Sequence, residues 1–277
     1  MAAGPSLLLR HRRMKTFRKY FSLYLGFFRA SLAVDLEFRA NFLARIVTDI
    51  FWYLAQVLSF ELIFNFTDQI GGWSRADARV FLGVLFVIDA FIMITIQTNL
   101  DNLSESVRKG SLDLLLSKPV NSQFMVSLKY VSTAHLGNLL LGISWLAWAC
   151  AQKNDLSIIR LLWLLPGVPC GVIIYYSFRF PFNAVALLSG SATNLQYLFY
   201  HIYRLGMRPD NIYPSWLKYT VLTILPMGLI ASVPTRLLLG TASWWLGLWA
   251  AAVAAISLWG STLIWKSALR RYSSASS

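Results

Sequence analysis

Between Val80 and Leu100 the chain carries one acid, Asp89, and no base. It then turns polar at once through Asp101-Asn102-Leu103-Ser104-Glu105-Ser106-Val107-Arg108-Lys109-Gly110. A helix needs about 20 apolar residues to cross a bilayer core, and this run is long enough. Comparable runs recur along the chain, so the pattern predicts an all-α polytopic membrane protein with one prominent polar element in its middle. Composition agrees: 57% of the 277 residues are hydrophobic and 13% charged, against about 25% charged in a soluble domain.

The net charge of +13 comes from 25 Lys and Arg against 12 Asp and Glu. These bases form no long basic arm and no nucleic-acid motif, which argues against a nucleic-acid partner. Many of them precede Asn41, where a cytoplasmic terminus collects Lys and Arg. Cys150 and Cys170 lie at or inside apolar runs and have neither a disulfide framework nor a metal spacing around them. Leu7-Leu8-Leu9, followed by Arg10-His11-Arg12-Arg13, is too short an apolar core for a signal peptide. Met14 is a second plausible start.

In residues 14–38, Phe17, Tyr20, Phe21, Tyr24, Phe28 and Leu32 recur at helical spacing, opposite a stripe of Lys15, Arg18, Ser22 and Arg29. An aromatic face backed by bases suits a helix in the headgroup layer, with Lys15, Arg18 and Arg29 anchored on lipid phosphates. Packing of this helix on protein is the alternative. Apolar runs then predict spans at Ala44–Phe64, Val80–Leu100, Met125–Cys150 and Ile158–Phe178, with a polar loop from Asn65 to Arg79.

Residues 182–203 and 219–240 are both apolar enough to enter a membrane, as is Ser243–Trp265. If all crossed, about seven spans would put the basic residues Lys266, Arg270 and Arg271 on the side opposite the basic N-terminus, against the positive-inside rule. Thr220–Gly240, broken by Pro226, Gly228 and Pro234, is therefore read as re-entrant, and 182–203 as the fifth of about six spans. Arg179, beside Pro181, then marks a tight inner turn. The exchanged assignment stays open.

The polar element reads as two short helices, 102–109 and 112–117, with Asp101 or Asn102 capping the first. Gly110 stops it, Ser111 caps the second and Pro119 ends it. Leu103 and Val107, then Leu112, Leu115 and Leu116, make apolar patches, and Glu105, Arg108 and Lys109 supply charge. This is a plausible docking knob for a soluble partner; a loop folded back on its own protein is the alternative.

Here the chain resembles a family. Glu105-Ser106-Val107-Arg108-Lys109-Gly110-Ser111-Leu112-Asp113 and Leu116-Ser117-Lys118-Pro119-Val120 look like the inner loop of ABC-2 type permeases, the membrane subunits of bacterial ABC exporters. Tyr213-Pro214-Ser215-Trp216-Leu217, Ile224-Leu225-Pro226 and Val233-Pro234 look similar to the same group. The resemblance implies a coupling helix in a groove of a separate ATPase subunit, a second permease subunit as dimer partner, and both termini cytoplasmic in an inner (plasma) membrane.

It further implies roles for matching residues. Glu105 and Arg108 would pair with partner charges, Gly110 would allow the turn and Leu112 would fill an apolar pocket. Asp113 would cap or accept a hydrogen bond, and Pro119 would set the entry to the third span. Residues 1–43 become the cytoplasmic N-terminus with its interfacial helix, 44–266 the permease domain with the inner loop at 101–123, and 267–277 a cytoplasmic tail.

No Gly-x-x-x-x-Gly-Lys-[Ser/Thr] occurs, so a P-loop cannot be built. Energy must come from a partner or an ion gradient, and no cofactor or catalytic motif is indicated. Asp49, Asp89 and His135 lie in or near spans, where ionisable groups are costly and usually face a bundle interior; they are the pathway candidates. A gradient-driven transporter using Asp89 and Glu61, and a non-transporting scaffold, are the rival readings.

Overall fold

The run flagged first, Val80–Leu100, forms the middle of a helical rod extending from Arg75 to Arg108. The computed structural model describes residues 5–153, 156–189 and 192–272, except the side chains of 5–17, Asn41 and Thr193. The rod begins with α3 (Arg75–Ile92), tightens through a π-helical turn at Met93–Gln97, and continues as α4 (Thr98–Asp101) and α5 (Leu103–Arg108).

It starts five residues before the expected Val80 because Ser74 and Asp77 form a reciprocal capping box. The Ser74 amide donates to Asp77 Oδ2 at 3.0 Å and the Asp77 amide to Ser74 Oγ at 3.2 Å. The charges in this first turn are paired: Arg79 grips Glu61 through Nε at 2.6 Å and Nη2 at 3.0 Å, and Lys153 pairs with Asp77. Just before it, the expected polar loop contains a two-residue antiparallel hairpin, Gln69–Ile70 with Trp73–Ser74. Gly71 and Gly72 turn it at φ of 57° and 81°, the positive values that a two-residue hairpin turn of type I′ requires. This end of the molecule is called the hairpin end below, and the opposite one the Gly110 end.

α1 (Pro5–Glu37) and α2 (Arg39–Ile63) meet at Phe38. α2 matches the expected first span and leaves Leu43, Val47, Phe51, Leu54, Leu58 and Leu62 exposed. α3, by contrast, is buried along most of its length. It packs on α8 (Leu136–Ala151). Gly83 and Gly142 sit in this seam, where an added Cβ would lie 2.7 Å from Leu146 Cα and 3.1 Å from the Phe86 carbonyl carbon. Small residues allow such close approach between membrane helices, where packing replaces the hydrophobic drive.

The expected third span, Met125–Cys150, is not one helix. α6 (Ser111–Leu116) leads to α7 (Ser122–Leu128), the chain then breaks, and a 3-10 turn at Thr133–His135 leads into α8. Side chains from elsewhere satisfy the backbone in the break. Asn99 accepts from the Tyr130 amide at 2.9 Å and donates to the Tyr130 carbonyl at 2.7 Å. Ser31 Oγ accepts from the Val131 amide at 3.0 Å, and Asp35 accepts from the Thr133 amide at 3.0 Å. The Ser132 amide donates to the Ile94 carbonyl, inside the π-helical turn, at 2.9 Å. Backbone groups freed inside a membrane protein persist only when re-satisfied in this way.

α9 (Ile158–Leu161), α10 (Leu164–Ala184) and α11 (Ala186–Ser189) form the fourth long segment. Pro169 and Pro181 lie inside α10, so Arg179 sits within a helix and not at the expected turn. The expected fifth span, 182–203, is divided: its first residues finish α10, α11 follows, and α12 (Thr193–Tyr203) is a separate helix continued by a 3-10 turn at Arg204–Met207. Ala192 donates to Ser104 Oγ near the Gly110 end, while Asn211 lies against Gly71 at the hairpin end. The chain from Ala192 to Asn211 thus passes from the Gly110 end to the hairpin end.

The segment expected to be re-entrant is α13 (Ser215–Thr223) and α14 (Gly228–Leu239), bent by 99°. α14 lies along α10, with Pro234 against Gly167 and Ile230 against Gly171, and Gly171 also meets Ile88 near the middle of the central rod. It therefore reaches only the mid-level of the central rod. α15 (Trp244–Arg271) closes the bundle, packed on α10. It runs past Lys266 to Arg271, so the expected tail at 267–277 begins as helix; residues 273–277 lie outside the described residues. Among the described residues, five helices are long and apolar enough to cross a membrane, or six if the bent pair is one span.

Candidate functional site

The polar element after the central rod is built without a break from it. Asn102 is helical at φ −82° and forms no side-chain cap, so α4 runs on into α5 and the expected cap at Asp101 or Asn102 is absent. Gly110 turns the chain at φ 69°, and α6 starts directly behind it. Ser111 is the first residue of α6 and not its cap; its Oγ reaches the Ser106 carbonyl at 3.3 Å.

The surface of this element differs from the expected one. Leu103, Val107 and Leu112 all point into the protein, and Leu112 is 0% exposed. Leu112 is therefore not available to fill a partner's pocket. The outward apolar side chain is Leu114, 69% exposed. Glu105 and Lys109 form an ion pair one turn apart at 2.6 Å, and Arg108 and Pro119 are exposed. Asp113 helps close α6, its amide donating to the Gly110 carbonyl at 3.2 Å. All six expected loop residues thus belong to one compact knob, but Leu112 is its core and not its face.

A second group, missed in the sequence, fastens this knob to the bundle. Arg179 of α10 is 5% exposed and pairs with Asp101 at the foot of the rod. It also donates to Gln97 Oε1 and the Tyr175 hydroxyl. Gln97 in turn donates to Asp101 Oδ2 at 3.1 Å. These four residues, with Gln196, Tyr197, Phe199 and Tyr200, line a cavity of about 360 Å³. Any displacement of Asp101 must move α10 or break a charge-assisted bond to a buried guanidinium.

The three pathway candidates do come together between α2, α3 and the turn leading into α8, with Asp89 buried and Asp49 and His135 partly buried. His135 Nδ1 lies 2.6 Å from Asp49 Oδ2, and Asn138 Nδ2 donates to the same oxygen at 2.6 Å. One turn along α2, the Tyr53 hydroxyl reaches Asp89 Oδ2 at 3.5 Å, and Asp89 is 4% exposed. Tyr53 and Asn138 were not foreseen. Glu61 is remote from this cluster, engaged by Arg79 at the hairpin end.

α1 is divided between two surroundings. Tyr20 meets Phe124 edge-on at 4.8 Å, its hydroxyl accepts from the Asn121 amide at 3.2 Å, and Lys19 Nζ donates to the Pro119 carbonyl at 3.0 Å. Asp35 accepts from the Tyr130 hydroxyl at 2.6 Å and from Thr133 Oγ1 at 2.7 Å. Burial, and then this carboxylate, push the Tyr130 phenol above its ordinary value. So one edge of α1 packs on protein while Phe21 and Leu25 on the other stay exposed, as do Arg18 and Arg29. The Lys15 side chain lies outside the described residues.

These features define a multi-pass helical membrane protein with a rigid polar knob fixed to its central span. The family described as ABC-2 family transporter protein matches residues 50–276, and the chain belongs to that family. No curated protein and no solved structure matches the chain.

Proposed function

We propose that the chain is the permease subunit of an ABC exporter, driven by a separate ATPase subunit that docks on the knob at 101–121. The observation that carries this reading is mechanical. The knob is the end of the central rod, and Asp101–Arg179 ties that rod to α10. A force on α5 and α6 is therefore applied to two bundle helices at once. Glu105, Arg108, Asp113 and Pro119, with Leu114 in place of Leu112, are the proposed contacts, and Gly110 sets the angle between the two short helices.

Charge supports a cytoplasmic Gly110 end with both termini on that side. Arg108, Lys109, Lys118, Lys266, Arg270 and Arg271 gather there. At the hairpin end Arg79, Lys153 and Arg236 are matched by Glu61, Asp77 and Asp210. The exposed apolar row on α2 suits a second permease subunit or lipid, and a dimer with the pathway between subunits follows from the family reading. Arg18 and Arg29 fit contact with anionic lipid. Catalysis of ATP hydrolysis is assigned to the partner.

Purification of the full chain from its own membranes tests this. A co-purifying ATPase that is lost from a Glu105→Ala, Arg108→Ala, Leu114→Ala variant supports it; full ATP-driven transport by that variant overturns it. The Asp49–His135 pair beside Asp89 favours a second reading, a proton- or cation-coupled transporter. In that case transport would persist without any ATPase and collapse with the ion gradient.

A further inference from the structure

A cavity of about 620 Å³ lies between α1, the π-helical turn, α7, α10 and α15. Its walls are mainly apolar, with Phe21, Phe124, Ile173 and Leu258 among them. Several of the polar side chains that reach it are already bonded within the protein. Tyr176 accepts from Gln123 Nε2 at 2.9 Å and shares a 2.8 Å bond with Ser127 Oγ. Thr95 and Thr262 each donate to a carbonyl one turn back, at 2.6 and 3.0 Å. The lining is chiefly apolar, and an apolar groove of this size left empty forgoes dispersion contacts with its walls.

Just beyond this lining, toward the Gly110 end, the two helices carry bases. Arg18 stands one turn before Phe21 on α1, and Lys266 one turn after Thr262 on α15; both are exposed. At about 100° per residue, Lys266 is turned only about 40° from Thr262. An apolar groove with exposed bases one turn beyond its lining on two helices suits an acyl chain below a phosphate.

We infer that this cavity is a binding site for one anionic membrane phospholipid, its acyl chain filling the slot and its phosphate held between Arg18 and Lys266. The lipid is a resident part of the fold that supports α1 against α15. This goes beyond the transporter reading and does not depend on it.

The test uses the full chain in mild detergent, titrated with dioleoyl phosphatidylglycerol or dioleoyl phosphatidylcholine and read by native mass spectrometry. One phosphatidylglycerol per chain is expected at a lipid concentration about tenfold below that needed for phosphatidylcholine. Ile173→Trp and Leu258→Trp, which fill the slot from opposite walls, abolish that tight binding, whereas Leu165→Trp on an exposed face of α10 leaves it unchanged. Arg18→Glu with Lys266→Glu removes the preference for phosphatidylglycerol. Equal retention of the two lipids by the unaltered protein overturns the assignment, as does tight binding that survives the slot-filling changes. A wild-type measurement guards against misfolded variants: phosphatidylglycerol carrying a mid-chain diazirine should label the Phe124 and Ile173 peptides, competed by unlabelled phosphatidylglycerol. Labelling confined to exposed faces such as Leu165 overturns the assignment too.

Discussion

Removing either partner of the Asp101–Arg179 pair breaks the same bond, yet the two losses should be far from equal. Asp101→Leu leaves the guanidinium in its buried position, 5% exposed, with the neutral Gln97 and Tyr175 as partners. An ion stranded by loss of a buried counter-charge costs about 3–5 kcal/mol. Arg179→Leu leaves a carboxylate whose side chain is 43% exposed and still accepts from Gln97. Water can resolvate it, so the cost falls toward the about 1 kcal/mol of an exposed pair. The expected difference is about 2–4 kcal/mol. Unfolding in mixed detergent–SDS micelles, followed by far-ultraviolet circular dichroism, measures both variants. The double variant Asp101→Leu, Arg179→Leu should be more stable than Asp101→Leu alone, because no orphaned ion remains. Equal losses, or a larger loss from Arg179→Leu, would refute the reasoning that Arg179 is the desolvated partner.

Further outcomes follow from the same contacts. Leu112→Ala should destabilise by about 2–5 kcal/mol as a core truncation, while Leu114→Ala changes stability by no more than about 0.5 kcal/mol yet weakens ATPase association in a pull-down. Gly110→Ala forces a side chain into the left-handed region and should cost about 1–2 kcal/mol in the same unfolding assay. Asn138→Leu removes a donor from the Asp49 carboxylate and should cost about 1–3 kcal/mol. The Tyr130 phenol is raised above its unfolded value of about 10. Above that pH the folded state holds the proton more tightly, so stability should fall as pH rises through the folded value. Tyr130→Phe should flatten that alkaline loss, read as unfolding free energy against pH.

The long uninterrupted spans were readable from composition alone. α2, the central rod and α15 lie where apolar runs predict them, because length and hydropathy suffice when nothing local competes. The break between α7 and α8 was not readable. Its backbone is satisfied by Ser31, Asp35 and Asn99, which are distant in sequence, and local propensity carries no trace of them. The expected turn at Arg179 failed because proline and a lone base inside an apolar run were read as punctuation, whereas polar partners on the central rod let the base sit buried inside a continuing helix.

A signal for the buried clusters was nevertheless present. Ser31/Asp35, Asp49/Tyr53, Gln97/Asp101, His135/Asn138 and Tyr175/Arg179/Asn183 each place polar residues one turn apart inside or beside an apolar run. Such one-turn spacing puts both on a single face, and that face turns inward in these pairs except at Asp101, whose side chain is 43% exposed. The knob was read correctly as an element and incorrectly in its orientation. Leucines at 112, 114 and 115 are alike in the sequence, and only packing on α5 decides which of them faces out.

The account rests on the knob facing a cytosolic motor, and a photo-crosslinking residue at position 114 in intact cells tests that most directly. Irradiation should join the chain to an ATPase subunit, and the adduct should disappear with the Glu105→Ala, Arg108→Ala background. Labelling of a Leu114→Cys chain from outside the cell by a membrane-impermeant maleimide, with no adduct formed, would contradict the account.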